Sequence, residues 1–186
     1  MTDPAFFGYG SLVNLATHAY ADPRPATLRG WRRVWRTTHL REAAFLSVDP
    51  APGTAIDGVV ARVPGADWAA LDAREAAYTR HDVTAALAAA DPTAVYVVSP
   101  DYLRHDPPGP ILLSYLDTVA QGFLALHGEA GLARFFATTD GWHHPVADDR
   151  GAPVYARATA LSPAERRLVD RYLARVSGGR ETAGIG

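Results

Sequence analysis

The sequence predicts an α+β protein with a mainly antiparallel, barrel-like sheet and a helical C-terminal region. Two observations support this class. The first 100 residues contain short apolar segments that end at glycine, proline or aspartate, with one helical segment among them. Beyond residue 100 the apolar residues recur at helical spacing. Strands followed by helices are typical of α+β folds. We expect one domain over residues 1–186, with the sheet and one helix in residues 1–100 and a helical extension in residues 101–186.

Six strands are expected in the first part of the chain, each a run of apolar or β-branched residues bounded by turn formers. They are residues 5–9, 26–38, 45–48, 56–63, 81–87 and 94–98. Gly10-Ser11 ends the first strand, and Gly30 marks a bulge in the second. Asp49-Pro50 and Pro52-Gly53 separate the third strand from the fourth.

Four helices are expected. One covers residues 66–79 inside the sheet-forming part, and residues 111–126 and 129–137 form two more. The last helix begins at Ser162, because a serine followed by proline and then by glutamate three positions on is a capping signal. Gly178-Gly179 is expected to end it.

The composition excludes several classes of function. The formal net charge of -2 argues against nucleic acid or an anionic membrane as partner. The chain has no cysteine, which excludes a thiol nucleophile and a Cys-ligated metal. All 18 basic residues are arginine, so a lysine Schiff base and a P-loop are excluded as well. Neither a signal peptide nor an apolar run long enough to span a bilayer is found, and we expect a cytoplasmic protein.

The arginine-rich strand over residues 26–38 mixes charge with tryptophan, as nucleic-acid-binding segments do. The negative net charge and the small footprint of one strand favour a half-exposed strand instead. One of its arginines could reach an acidic substrate or Glu75.

Glu75 is the most informative residue of the chain. The apolar residues at helical spacing in its segment are Trp68, Leu71 and Tyr78. Glu75 falls within their stripe, where loss of water raises the pKa of a carboxylate toward the range useful for proton transfer. The alternative is an ordinary surface acid that pairs with Arg74 or Arg80.

The segment Phe7-Gly8-Tyr9-Gly10-Ser11-Leu12 is the second signal. Its two glycines let the backbone approach a ligand closely, and the turn leaves N–H groups free for an anion or a developing oxyanion. The alternative is an ordinary turn at a strand end. Ser11 with His81 or His143 could also form a hydrolase pair, although the segment lacks the G-x-S-x-G pattern.

His143-His144 with Asp148-Asp149 is the strongest candidate for a metal site. Adjacent histidines do not share one face of a helix or strand, and no i, i+4 pair supports them. We therefore expect a polar surface loop and no metal site.

Together, the two signals resemble the gamma-glutamylcyclotransferase family, which includes the ChaC-like enzymes. Phe7-Gly8-Tyr9-Gly10-Ser11-Leu12 is similar to the family's N-terminal YGS-type loop. Leu71-Asp72-Ala73-Arg74-Glu75, followed by Tyr78 and Arg80, is similar to its LDxxE-type helix. Residues 28–33 and 56–63 look like two of its strands, so the resemblance covers roughly residues 5–100.

The resemblance implies a small β-barrel surrounded by helices and an enzyme that releases 5-oxoproline from a γ-glutamyl substrate. Glu75 would be the catalytic acid and base. Tyr9, Gly10, Ser11 and Leu12 would bind the substrate and its oxyanion, and Tyr78 would be a pocket wall or hydrogen-bond donor. No cofactor or metal is required. A non-catalytic binding module on the same fold is the alternative, and the leaving group and the oligomeric state stay open.

Overall fold

The computed structural model describes residues 3–177, so the helix end expected at Gly178-Gly179 lies outside the described residues. Nine strands form one mixed sheet, in which six lie along the main path and three short strands pair beside it. The strands are β1 (Ala5–Gly8), β2 (Ala21–Thr38), β3 (Arg41–Arg62), β4 (Tyr78–Asp82), β5 (Thr93–Val98), β6 (Leu103–Arg104), β7 (Ile111–Leu112), β8 (Thr139–Asp140) and β9 (Val146–Ala147). The helices are α1 (Ala69–Arg74), α2 (Leu113–Ala137) and α3 (Pro163–Val176).

The main strand order is β4-β5-β1-β3-β2-β6. The longest pairing, between β2 and β3, is antiparallel, whereas β1 runs parallel to β5. The α+β class is therefore confirmed. Over residues 3–177 the strand pairing does not close into a ring, so the expected barrel is an open, barrel-like sheet.

Strand β1 lies at the centre of the sheet, between β3 and β5. All four of its residues are buried, which explains why the strand is apolar without alternation. The loop that follows Gly8 therefore leaves the sheet between β3 and β5.

The structure joins two expected strands into one. The expected strands at residues 45–48 and 56–63 both belong to β3. The register passes from Arg29 opposite Ala55 to Trp31 opposite Pro50, so residues 51–54 bulge out against the single residue Gly30. Gly30 has a φ of 79°, which a glycine adopts without strain. The prolines therefore mark a bulge in a continuous strand and not the end of one.

Two predictions around Glu75 are wrong. The helix expected over residues 66–79 is only the six-residue α1, and the strand expected over residues 81–87 is β4, which begins at Tyr78 and ends at Asp82. Glu75 leaves the helical conformation with φ -101° and ψ 37°, and the N–H of Tyr78 donates to its carbonyl oxygen at 2.8 Å. The chain then turns directly into the pairing of β4 with β5.

The helices beyond residue 100 agree more closely with expectation. Helix α2 contains the expected segment 129–137 and the expected segment 111–126 from Leu113 onward, whereas Ile111–Leu112 form β7. The two segments are joined at Gly128, whose φ of 68° and ψ of -173° interrupt the helix. At α3 the Ser162 side chain accepts from the N–H of Glu165, and the Glu165 carboxylate accepts from the N–H of Ser162. Residues beyond 100 also supply strands β6 to β9. None of the helices within residues 3–177 has the length and apolar character needed to cross a membrane.

Candidate active site

A pocket lies where β1 ends and meets the C-terminus of α1. The space within it, including open solvent at the mouth, is about 330 Å³. The lining residues come from five parts of the chain and are Phe7, Gly8, Tyr9, Gly10, Ser11, Leu12, Leu46, Glu75, Tyr78, Tyr96 and Tyr115. All six predicted site residues are among them.

The loop after β1 forms one wall of this pocket with its backbone. The carbonyl oxygen of Gly10 accepts from the N–H of Val13 at 3.0 Å, and that of Ser11 accepts from the N–H of Asn14 at 3.1 Å. These bonds form a short 3-10 turn. Within residues 3–177, the N–H groups of Gly10, Ser11 and Leu12 have no acceptor. Three backbone donors are therefore available to a ligand, as oxyanion binding requires.

Gly10 is glycine because another side chain approaches it. A Cβ atom at this position would lie 2.9 Å from the hydroxyl oxygen of Tyr115, which is too close for an ordinary contact. Tyr115 belongs to the first turn of α2 and is buried. The close approach brings the helix directly against the loop.

Glu75 follows the last residue of α1, and its N–H donates to the carbonyl oxygen of Leu71 at 2.9 Å. Its side chain is 16% exposed, so most of the carboxylate's water has been removed. Oε1 lies 3.3 Å from Nε of Arg74. The carboxylate is thus largely desolvated but keeps one positive neighbour.

Burial raises the pKa of Glu75 above its ordinary value. The positive charge of Arg74 opposes this rise most strongly, followed by the charges of Arg41 and Arg157. The pKa stays raised because desolvation is the largest effect. Such a carboxyl group can accept a proton and return it near neutral pH, as a general acid–base catalyst must.

Arg74 also ties α1 to the loop. Its guanidinium donates to the carbonyl oxygen of Thr17 at 3.1 Å, to Oγ1 of Thr17 at 3.2 Å and to Oγ of Ser11 at 3.1 Å. The expected surface pairing of Glu75 with Arg74 therefore exists, but it lies inside the pocket wall. The position of Glu75 relative to the free N–H groups is fixed by this arginine.

The Ser11 hydroxyl has no histidine beside it in the pocket lining. His81 is exposed on β4, where its Nε2 lies 3.0 Å from Oγ1 of Thr79, and His143 is exposed in the loop after α2. Neither lines the pocket. The structure does not bring the predicted serine–histidine pair together.

Tyrosine side chains also line the pocket. The hydroxyl of Tyr9 donates to the carbonyl oxygen of Tyr96 at 2.6 Å, and that of Tyr78 donates to the carbonyl oxygen of Leu46 at 2.9 Å. Burial, strengthened by neighbouring tyrosines and by Glu75, raises the pKa of Tyr9 and of Tyr78 well above the ordinary value. Both are neutral phenols at physiological pH. Tyr78 therefore forms part of the pocket wall, and its hydroxyl donates its hydrogen bond to a backbone carbonyl.

The sequence did not single out Leu46, Tyr96 or Tyr115 as site residues. Tyr115 lies in a stripe of apolar residues at helical spacing, which is the ordinary pattern of a core tyrosine. Its contact with Gly10 joins positions 105 residues apart, and no local pattern reports such a contact.

Residues 3–177 contain no group of three or more His, Asp or Glu side chains that could hold a metal ion. In the loop that contains His143-His144, a ring nitrogen of His144 lies 2.8 Å from the carbonyl oxygen of Gly109. This contact anchors the loop to the segment before α2.

The fold and the pocket define a class of protein in which a buried carboxylate and free backbone N–H donors line the same pocket. A family model described as gamma-glutamyl cyclotransferase, AIG2-like, matches residues 6–115. The chain belongs to this family. No curated protein matches the sequence in a direct comparison.

Solved structures show the same fold at low sequence identity. A gamma-glutamyl cyclotransferase is 14% identical, with a TM-score of 0.58 over 90% of this chain and 98% of that one. The human protein loc79017 is also 14% identical, with a TM-score of 0.57 over 89% and 97%. YkqA from Bacillus subtilis is 17% identical, with a TM-score of 0.56 over 76% and 57%.

Proposed function

We propose that this protein is a γ-glutamyl cyclotransferase that releases 5-oxoproline from a γ-glutamyl amino acid, peptide or amine. One observation carries the proposal: the desolvated Glu75 carboxylate lines the same small pocket as the free N–H groups of Gly10, Ser11 and Leu12. Membership of the family supports this choice of reaction.

The substrate supplies the nucleophile in this reaction. Its α-ammonium group loses a proton to the Glu75 carboxylate, and the resulting amine attacks the γ-carbonyl carbon of the same molecule. A new C–N bond closes the five-membered ring, while the carbonyl oxygen becomes an oxyanion. Because the attack is intramolecular, a pocket that folds the substrate correctly supplies much of the rate acceleration.

The second half of the reaction breaks the original amide bond. The protonated Glu75 gives its proton to the leaving nitrogen, the oxyanion reforms the carbonyl, and the amine departs. The ring nitrogen carries two hydrogens and a positive charge after the attack. It loses one proton to the freed Glu75 carboxylate, which passes it to the departing amine, so that the products are a neutral lactam and an ammonium group. The N–H groups of Gly10, Ser11 and Leu12 are donors for the oxyanion and for the substrate's α-carboxylate. Every proton taken up is released again, so no oxidant, reductant or cofactor takes part.

The test is the release of 5-oxoproline, measured by mass spectrometry. The panel holds γ-glutamyl amino acids, γ-glutamyl amines and glutathione. Glu75→Gln should keep the fold and lose about 10²–10⁴-fold in turnover, since it removes a general acid–base catalyst. Glu129→Gln is the matched control, because the side chain of Glu129 is 60% exposed on the protein surface.

Three outcomes are distinct. Release by the wild type and by Glu129→Gln, but not by Glu75→Gln, supports the proposal. Equal release by all three proteins would remove the role given to Glu75. Binding of a panel member with no release would favour the non-catalytic module.

A cytoplasmic location, expected from the sequence, is part of the same proposal.

A further inference from the structure

A cluster of aromatic rings lies behind the pocket wall. Tyr115 lines the pocket, and its ring contacts Phe45 at 4.8 Å and Tyr155 at 5.0 Å between ring centroids. Phe45 and Tyr155 are themselves 6.3 Å apart. Phe45 is partly exposed, so the cluster extends from the pocket to the protein surface.

Arg41 stands over this cluster. Its guanidinium carbon lies 4.9 Å from the centre of the Phe45 ring, and its side chain is exposed. Within residues 3–177 the Arg41 guanidinium has neither a hydrogen bond nor an ion pair. The ring positions the charge but leaves all of its N–H donors free.

Arg157 follows the cluster residue Tyr155 by two positions in the chain. It lies in a tight turn in which the N–H of Ala158 donates to the carbonyl oxygen of Tyr155 at 3.0 Å. Arg157 is exposed, and its guanidinium has no hydrogen-bond or ion-pair partner in the described part of the chain. Within residues 3–177, one guanidinium group without a partner therefore lies over Phe45, and a second belongs to the turn that begins at Tyr155.

The two arginines act electrostatically on residues of the pocket. Both positive charges lower the pKa of Glu75. The charge of Arg41 also acts on Tyr78, whereas that of Arg157 acts on Tyr20. Neither arginine lines the pocket itself. They are thus close to the reacting end of a bound substrate but outside the space that its γ-glutamyl part fills.

This excess of positive charge is local, since the whole chain has a formal net charge of -2. Arg74, the third arginine near Glu75, is already bound to Ser11 and Thr17 and is not free to meet a ligand. A free guanidinium recognises a planar anion through two parallel hydrogen bonds, and a carboxylate fits it best among the groups of a peptide.

We propose that Arg41 and Arg157 bind a carboxylate of the leaving group, so that γ-glutamyl amino acids and peptides are preferred over γ-glutamyl amines. This inference rests on the proposed function and names the substrate class of the same pocket. The γ-glutamyl part contacts the loop after β1, while the part that leaves extends past Tyr115 toward the two arginines.

The test compares two substrates that differ only by one carboxylate, γ-glutamyl-phenylalanine and γ-glutamyl-phenethylamine. The proteins are the wild type, Arg41→Gln, Arg157→Gln and the double variant. Arg171→Gln is the control, since this arginine lies on α3 and pairs with Glu129 on the surface. Values of kcat and KM are measured for each combination.

For the wild type we expect kcat/KM to be at least about tenfold higher for the amino acid, as a charge-assisted hydrogen bond allows. The double variant should lose most of this preference through a higher KM for the amino acid. Arg171→Gln should retain it. Equal use of both substrates by the wild type, or an equal loss for both in the double variant, would overturn the inference.

A binding measurement separates this inference from the proposed reaction. The dissociation constants of both compounds are measured by calorimetry with Glu75→Gln and with Glu75→Gln carrying both arginine substitutions. Tighter binding of the amino acid that depends on the arginines supports the inference even if the wild type releases no 5-oxoproline. Equal binding of the two compounds, or binding of neither, overturns it.

Discussion

The Nε atom of Arg33 donates to the carbonyl oxygen of Tyr9 at 3.0 Å, and this bond joins the interior of the sheet to the loop of the candidate site. Arg33 is fully buried. The carbonyl of Tyr9 and the N–H of Gly10 belong to one planar peptide and point in opposite directions. Fixing the carbonyl therefore also fixes the N–H of Gly10, one of the free donors in the pocket.

Both terminal nitrogens of Arg33 also donate hydrogen bonds. One terminal nitrogen donates to Oγ1 of Thr138 at 2.9 Å, the other donates to the carbonyl oxygen of Asp57, and the ring of Phe123 lies 4.8 Å from the guanidinium carbon. Burial lowers the pKa of Arg33 to about 9, which leaves it protonated at neutral pH. Its charge is held by hydrogen bonds and ring faces in place of water.

We predict that Arg33→Lys destabilises the protein by at least about 3 kcal/mol, because a single ammonium cannot satisfy three separated acceptors. The measurement is the free energy of unfolding in urea. Arg32→Lys is the control on the neighbouring position, where a partly exposed pair with Asp140 should be worth less than about 1 kcal/mol. Similar losses in the two variants would contradict the role given to Arg33.

Glu75 should make folding less favourable at neutral pH. Since burial raises the pKa of Glu75 in the folded protein, the folded state binds more protons than the unfolded state between the ordinary and the raised pKa. The free energy of unfolding therefore falls as the pH rises through this window. Below the ordinary carboxyl pKa the group is neutral in both states and the penalty is absent.

Glu75→Gln should accordingly be more stable than the wild type at pH 7, and the gain should shrink as the pH falls from the raised pKa of Glu75 to the ordinary carboxyl pKa. Melting temperatures from pH 3 to pH 8 test this prediction. Glu129→Gln should show no such gain at pH 7, since its side chain is mostly in water. A Glu75→Gln protein that is less stable at pH 7 would mean that the pair with Arg74 outweighs desolvation.

The pH dependence of turnover offers a separate test of Arg74. If Glu75 acts as the base, kcat/KM rises with pH through the pKa of Glu75, which burial places above the ordinary 4.5. The charge of Arg74 lowers that pKa, so Arg74→Gln should move the rise in kcat/KM to higher pH. The surface variant Arg171→Gln should leave it in place. A shift to lower pH, or none, would contradict this electrostatic relation.

Gly10 and Tyr115 should behave as a coupled pair. Gly10→Ala places a methyl group 2.9 Å from the Tyr115 hydroxyl and should lower turnover by displacing the loop. Tyr115→Phe removes that oxygen, so the double variant should recover part of the loss. Gly151→Ala is the control, because a Cβ there would meet nothing within 4 Å. Strictly additive effects in the double variant would show that the contact is not the cause.

Both signals around the site could be found in the sequence because each is local. The glycine loop follows an apolar strand, and Glu75 stands among apolar residues. Yet the helical spacing predicted the burial of Glu75 for a reason that is only partly right. Tyr78, one of the residues that defined the apolar stripe, belongs to β4 and not to the helix. Glu75 follows the end of a short helix, and its side chain is buried in the wall of the pocket.

The parts that escaped prediction depend on distant contacts. Arg33 was expected on a half-exposed strand, since its neighbours alternate charge with tryptophan. The rings of Phe123 and Phe135, contributed by α2, instead enclose its guanidinium. Likewise, only the pairing with β2 shows that β3 continues past Pro50 as one strand. Neither the enclosure of the Arg33 guanidinium nor the continuation of β3 can be predicted from a pattern of neighbouring residues.

The contact of Tyr115 with the loop at Gly10 also sets an order of events during synthesis. The ribosome releases the loop and Glu75 well before it has made α2, and Tyr155 follows later still. A nascent chain shorter than about 115 residues lacks a wall of the pocket. A product of early termination before Tyr115 therefore carries the loop and Glu75 without a complete pocket.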